Sequence, residues 1–324
     1  MVCRFPFTMN QRIMKNEKKI LVAVDGSAYS SNALDYLIRL FAADEQVAIH
    51  LLSVVSAGGG ERNWMMEVDS LRPLPPQAVK RKRIATRYLK DAAARLLRNG
   101  FAEQRVSYGV EVAAGPSVGA AIHSMARAGL YDALLIGRRG IGKVGEMFFG
   151  SVSAHLFEKC HEVPLWIIDG EVTSTNFLIG VHHTPQSLLA VDHLAFMLRN
   201  HPEVTIYLYH SDILLGKKPS PRPREFYAVW GEDWCREHLD FDNHLFHAHA
   251  RILIDNGIRA AQIKRLPVHR GMDAGRHLLQ QAKKHHCGTI IIGRRGKDMV
   301  TGWQRRVSDS TVRRARNVAI WIVN

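Results

Sequence analysis

The sequence repeats itself at a spacing of about 157 residues, and this limits the possible folds more than any other feature. Ile20-Leu-Val-Ala-Val24 returns 157 positions later as Phe177-Leu-Ile-Gly-Val181, and Val47 returns as Val204 at the same spacing. Gly115 corresponds to Gly271, and Gly137-Arg-Arg-Gly140 to Gly293-Arg-Arg-Gly296, both 156 apart. Val163-Pro-Leu-Trp-Ile-Ile168 corresponds to Val318-Ala-Ile-Trp-Ile-Val323 at 155. A register that drifts by two residues over a whole domain marks a duplication. A chain of 324 residues suits two domains, each of roughly 150 residues. The expected division is a first domain over 17–170, a polar linker at 171–175 and a second domain over 176–324. Residues 1–16 read as a disordered extension or the product of an upstream start codon, with Met14 the more natural beginning.

Within the first repeat, apolar runs alternate with helical patterns. Lys19–Asp25, Val47–Val55, Val106–Val112, Ala133–Ile136 and Val163–Ile168 read as strands. The segments after Ser27, from about Gln77 to Asn99, from Pro116 to Ala128, and from Gly150 to about Cys160 read as helices. Nearly continuous apolar strands separated by helices imply a parallel sheet covered on both faces. The expected fold is therefore α/β: two repeated doubly wound, Rossmann-like domains, each a five-stranded parallel sheet. In such sheets a ligand binds at the carboxyl ends of the strands, at the switch point. Asp25 and Gly137 fall at such ends.

Composition narrows the setting. Apolar content of 46% and charged content of 23% are those of a globular protein. Cys3, Cys160, Cys235 and Cys287 are scattered. That spacing argues against a zinc ribbon or disulfide framework and fits a cytoplasmic setting. No apolar run approaches the roughly 20 residues that span a bilayer, so no membrane partner is expected. The net charge of +14 favours polyanions without choosing among them.

The turn after the fourth strand carries the chemistry. Gly137 and Gly140 are followed, after nine intervening residues, by Gly150-Ser151 at the start of a helix. A glycine-rich strand-to-helix turn directs unpaired N–H groups at an anion, most often phosphate. With this motif standing in full, and a first strand ending in Asp25, the chain resembles the universal stress protein family as a tandem two-domain member. The resemblance implies an ATP-binding domain. Asp25 would then contact adenine, Ala23 and Val54 would wall the base, and Ile136 would lie against the nucleoside. Gly137, Arg139 and Gly140 would border ribose and phosphates, and Gly150, Ser151 and Val152 would hold the phosphates. Arg138, Arg139 and Lys143 are available in sequence to neutralise phosphate oxygens. The alternative is a plain tight turn, with Asp25 only capping a helix.

The second repeat departs at the same positions. His182 replaces Asp25, His183-Thr184 replaces Gly26-Ser27, and Ser211 replaces Val54. Arg305-Arg306 fall where Gly150-Ser151 would be. An empty or altered site is expected there, with the second domain serving as packing partner in an intramolecular pseudo-dimer. A further homodimer stays open.

Other constellations are weaker. His244-x-x-His247-x-His249 falls on an expected helix from about Asp233 to Asn256, with His244 and His247 on one face. Imidazole suits Zn or Cu, yet no nearby cysteine or placed carboxylate completes a set, so no metal site is assigned. His285-His286 reads as a pair of cations at a helix C-terminus. Lys80-Arg-Lys-Arg83 and Arg313-Arg-Ala-Arg316 read as solvated helix faces, and nucleic acid is not the expected partner. Lys217 to Arg224 reads as an extended basic loop suited to an acidic protein. No Walker lysine, nucleophile elbow or paired carboxylates stand near the phosphate loop. The chain is expected to be an ATP-binding regulatory stress protein, with or without Mg2+, rather than an enzyme, and its protein partner is unknown. The alternatives are a non-nucleotide module for acidic partners, and a slow ATPase or self-phosphorylating protein using Ser151 or Ser153.

Overall fold

The computed structural model divides the chain into two compact units, one of Lys19–Thr173 and one of Ser174–Asn324 that also takes in Lys18. The structure describes residues 17–57, 74–113, 117–138, 150–199, 201–213, 222–294 and 305–324, and the side chains from 307 onward in the last stretch.

The first unit runs β1 (Lys18–Ala23), α1 (Ala28–Phe41), β2 (Val47–Ser56), α2 (Pro76–Arg98), β3 (Val106–Ala113), α3 (Val118–Ala128), β4 (Ala133–Gly137), α4 (Ser151–Lys159) and β5 (Leu165–Asp169). Its strand order is β3-β2-β1-β4-β5. The pairing is parallel, with Ala23 opposite Ile136, Gly137 opposite Ile168, and Ser56 opposite Ala113. The order turns back between β1 and β4, so their carboxyl ends flank the switch-point crevice. Leu134, Leu135 and Ile136 are buried, as are Leu165 to Ile168 of β5. The sheet is thus covered on both faces, as their unbroken apolar sequence requires. Phe41 from α1 stacks on Trp166 of β5 at 6.0 Å between ring centroids.

The helices begin where the sequence supplies a cap. Gly26 adopts a left-handed φ of +77°, and Ser27 then accepts the N–H of Ser30 to open α1. Ser117 does the same for α3 through Ala120. In α2, Pro76 occupies the first turn while Ala78, Ala85, Leu89, Ala92, Ala93 and Leu96 are buried. Lys80 to Arg83 lie on its exposed side.

The second unit runs β6 (Asn176–Gly180), α5 (Pro185–Leu198), β7 (Thr205–Tyr209), β8 (Ser211–Ile213), α6 (Arg224–Trp230), α7 (Glu232–His238), α8 (Phe246–Asp255), β9 (Ile263–Arg265), β10 (His269–Gly271), α9 (Ala274–Lys284), β11 (Cys287–Gly293), α10 (Arg305–Arg314) and β12 (Val318–Val323). Its main sheet, β9-β7-β6-β11-β12, copies the order of the first. Trp321, at the place of Trp166, meets Phe177 edge-on. A small parallel pair, β8 with β10, has no counterpart in the sequence reading. Among the described residues no helix is long and apolar enough to cross a membrane.

One expectation fails. The long helix expected over Asp233–Asn256 is broken into α7, a 3-10 turn at Phe241–Asn243, and α8. The Asp240 carbonyl accepts the N–H groups of both Asn243 and Leu245. His244 and Leu245 then take left-handed φ values of 56° and 58°. Such angles are costly for residues with a Cβ and persist only where the surroundings impose them. His244, His247 and His249 therefore do not share a helical face. His247 is exposed, while His249 is fully buried, with Nδ1 against the Leu245 carbonyl and Nε2 2.7 Å from the Ser187 hydroxyl. His285 also differs from the sequence reading. Slight burial, then Lys284 and its neighbours, push its pKa down, so a cation there is disfavoured.

The strand-end glycines are packing residues in both units. A Cβ on Gly137 would stand 2.9 Å from the Tyr29 carbonyl carbon, and one on Gly293 would stand 2.3 Å from the Gln186 oxygen. Both obstacles are backbone in the first turn of the opposing helix, which cannot swing aside. Gly293→Ala is expected to destabilise its unit by about 3 kcal/mol, the upper end for overpacking, and Gly137→Ala by less. The shift in urea midpoint, followed by tryptophan fluorescence, checks both values and their order.

Burial pushes the His249 pKa from 6.5 down to about 4, so the folded state keeps the ring neutral while the unfolded chain takes up a proton first. Stability is then complete above pH 6.5 and is lost as pH falls from 6.5 toward 4, by roughly 3 kcal/mol at the lower limit. Urea titrations across that window in EDTA should show the slope, and His249→Phe should flatten it.

Candidate functional site

The crevice of the first unit is built from three strand ends and one helix start. β1 delivers Ala23 and then Asp25. β2 is held alongside by the Val24 N–H bonding the Leu52 carbonyl at 2.8 Å, and carries half-buried Val54 beyond it. β4 delivers buried Ile136 beside Ala23 and ends at Gly137. From the far side of the loop, α4 starts at Ser151, with Gly150 as its N-cap and no side chain capping it. The Gly150 N–H reaches the Arg138 carbonyl at 3.4 Å, which brings the helix start back to the strand end. Ala23, Asp25, Val54, Ile136, Gly137, Gly150, Ser151 and Val152 thus belong to one carboxyl edge of the sheet. Arg139, Gly140, Lys143 and the run Ile141–Phe149 lie outside the described residues.

Individual groups show what this edge can do. The Asp25 carboxylate accepts the Ser27 N–H at 3.0 Å, so one oxygen holds the turn into α1. A carboxylate has several acceptor positions, so this bond does not use up its capacity. Ser151 is exposed at the first position of α4, where the N–H groups lack helical partners and the dipole favours negative charge. Ser153 is buried instead and donates its hydroxyl to the Gly137 carbonyl at 3.0 Å, which ties α4 to β4.

Arg138 corrects the sequence reading. Its side chain is buried and pairs with Asp169 at 3.3 Å, so it turns under β5 instead of toward an anion. The second unit repeats the device. Arg294 bonds the Asn324 side chain at 2.8 Å. The first arginine of Gly-Arg-Arg-Gly is scaffold in both.

Tyr88 was not anticipated. It stands on α2, its ring lies over Gly26, and its hydroxyl bonds Ser53. Burial raises its pKa, the Ser53 bond opposes the rise, and the Asp25 charge adds to it, so Tyr88 stays protonated. The signal was its half-buried place between Ala85 and Leu89 on a helix otherwise read for its basic residues.

In the second unit the matching positions hold imidazoles. His183 stands at the place of Gly26, and His210 at that of Ser53. His244 joins them, with ring centroids 5.5 Å (183 to 210), 5.2 Å (183 to 244) and 4.1 Å (210 to 244) apart. Comparing the two repeats residue by residue at 157 exposes the first two. The left-handed turn that brings in His244 had no sequence signal.

A doubly wound α/β unit with polar groups gathered at its switch point is a ligand-binding class of fold. Residues 17–168 match the model of the Universal stress protein family. Solved structures extend the likeness over both repeats. A universal stress protein from Archaeoglobus fulgidus DSM 4304 is similar over 96% of this chain and 98% of its own, with TM-score 0.62 and 16% identity. One from Pseudomonas aeruginosa UCBPP-PA14, assigned to the same group, covers 96% and 94% at TM-score 0.57 and 13% identity. A functionally unknown protein of Pseudomonas aeruginosa PAO1 covers the same shares at TM-score 0.56 and 12% identity. At these identities the likeness is one of fold. No curated protein matches the sequence. The first repeat matches the universal stress protein family, and the chain carries that fold twice.

The Arg138 pair makes a stability prediction. Asp169→Ala leaves a buried guanidinium without its counter-charge and should cost about 3 kcal/mol. Asp169→Asn, the arrangement the second unit uses, should cost markedly less. Chemical denaturation of the two variants side by side decides it.

Proposed function

We propose that the first repeat binds an adenine nucleotide, ATP with or without Mg2+, and that the protein is a regulatory binding module of the stress response rather than a catalyst. The observation that carries this reading is the placement of Asp25 and the uncapped start of α4 on one edge of the sheet. Asp25 offers an acceptor to an exocyclic amine at one end. Ser151 and Val152 offer N–H groups, and Ser151 a hydroxyl, to phosphates at the other, while Gly150 lets the backbone approach without a Cβ. Ala23, Val54 and Ile136 supply the apolar ground between them, as a planar base requires. Of the two serines considered as phosphate acceptors, only Ser151 is exposed, so any self-phosphorylation is assigned to it. Binding would alter the surface a protein partner meets.

Calorimetry on the intact chain tests the reading. ATP should bind one site per chain, and Asp25→Ala should weaken it by about tenfold or more, the scale of one hydrogen bond to a charged group. Ser151→Ala should weaken it less. An intact protein that takes up no adenine nucleotide, or an Asp25→Ala variant that binds equally well, would show the assignment to be wrong.

A further inference from the structure

We infer that the second repeat holds a divalent transition-metal ion of the Zn2+ class, with His183, His210 and His244 as its protein ligands. The three side chains each offer a ring nitrogen, and these nitrogens lie within 4.8 Å of one another. Ligands on a tetrahedral zinc at 2.0–2.1 Å stand roughly 3.3 Å apart, so the nitrogens must close up and the stacked His210 and His244 rings, 19° between planes, must splay to point at one ion. His210 is buried, while His183 and His244 are half-buried, which leaves the cluster reachable from solvent and a fourth position for water or a carboxylate.

The surroundings are those of a ligand set. The His183 Nε2 lies 3.2 Å from the Phe241 carbonyl, which takes its proton and leaves Nδ1 as the lone pair. The His210 Nδ1 lies 2.7 Å from the Val181 carbonyl and its Nε2 faces the Asp212 carboxylate, so a metal at Nε2 takes the place of the proton shared with Asp212. Backbone carbonyls commonly orient metal-bound imidazoles in this way. Asp212 is 2.9 Å from the His210 Nε2 and supplies the negative charge that three neutral rings lack. The His244 Nδ1 is buried and has no hydrogen-bond partner among the described residues. Its left-handed backbone, φ 56°, is a cost carried at the one residue that brings the third ring into the cluster.

Packing alone does not account for this group. Among the described residues no hydrogen bond joins the three rings to one another, and any two of them charged would repel at 4.1–5.5 Å between centroids. The first repeat fills the same place differently, with Gly26, Ser53 and Tyr88 joined by one hydrogen bond and a ring contact. At the register of 157, Tyr88 corresponds to Leu245, so the ring from the broken helix enters one residue early.

The test uses untagged full-length protein stripped with chelator, and Zn2+ competed against a chromophoric chelator. One equivalent should bind tightly. His183→Ala and His244→Ala should each lower the affinity by at least about a hundredfold, and Asp212→Asn by about tenfold. The chain has 17 histidines, so exposed His247→Ala serves as the control and should leave binding unchanged. No tight equivalent in the intact protein, or the same loss in His247→Ala as in His183→Ala, overturns the site. Should the ligand variants fail to fold, X-ray absorption of the intact protein with one equivalent of Zn2+ decides. Three imidazoles at about 2.0–2.1 Å support the assignment, and fewer overturn it.

Discussion

The contact on which both units depend is one between backbones. The last residue of β4, Gly137, meets the first turn of α1 at Tyr29, and the last residue of β11, Gly293, meets α5 at Gln186. Neither leaves room for a Cβ. This contact sets how close the helix after the first strand lies to the sheet, and therefore how the crevice at the switch point opens. The next residue locks the arrangement from beneath, as Arg138 on Asp169 and as Arg294 on Asn324. A motif that invites a phosphate reading is thus, in its first two residues, a device for docking a helix.

With that scaffold held constant, the two crevices are free to differ. In the first, Gly26 takes a left-handed φ that permits a tight turn from Asp25 into α1, and Tyr88 on an unbroken α2 closes over it. In the second, His183-Thr184-Pro185 replaces the glycine turn, and Pro185 starts α5. The helix opposite then breaks at His244. A ring at Tyr88's register would fall at Leu245, which is fully buried in the core of its unit. The break turns His244, rather than Leu245, into the crevice.

The strands, the helices and the repeat were legible because each rests on local patterns: apolar runs such as Leu134–Ile136, caps such as Ser27 and Ser117, and a fixed register. The crevice positions Asp25, Val54, Ile136 and Gly150–Val152 were legible for the same reason, since strand ends and helix starts locate them. What escaped was set by contacts distant in sequence. Arg138 looks like a phosphate ligand until Asp169, at the end of another strand, is seen to claim it. Tyr88 belongs to the crevice only because α2 crosses above Gly26. The spacing of His244 and His247 suggested one helical face, but the Asp240 carbonyl draws back the Asn243 and Leu245 N–H groups. That sends His244 to the cluster and His247 to the solvent, while His249 lies in the core.

A crevice lined by strand carboxyl ends and helix N-termini is electrostatically an anion site, which makes a cation in the second repeat a question of magnitudes. The positive end of α5 begins at Pro185, two residues from His183. Such a helix end opposes a nearby cation by roughly 0.3–1 kcal/mol at exposed sites. A zinc set of three imidazoles and a counter-charge draws on a binding free energy of order 10 kcal/mol. The dipole is the smaller effect, and Pro185 has already removed one of its donor N–H groups. Asp212 supplies the remaining correction, since it stands against His210 and within 3.6 Å of Arg270, which anchors the carboxylate from the solvent side. An anion in this crevice would find none of Asp25's turn, no glycine at 183 and a carboxylate facing it. Of the positions where the second repeat departs from Asp25, Gly26, Val54 and Gly150-Ser151, only His183 supplies a nitrogen ligand, and His210, at the place of Ser53, and His244, from the broken helix, complete the set.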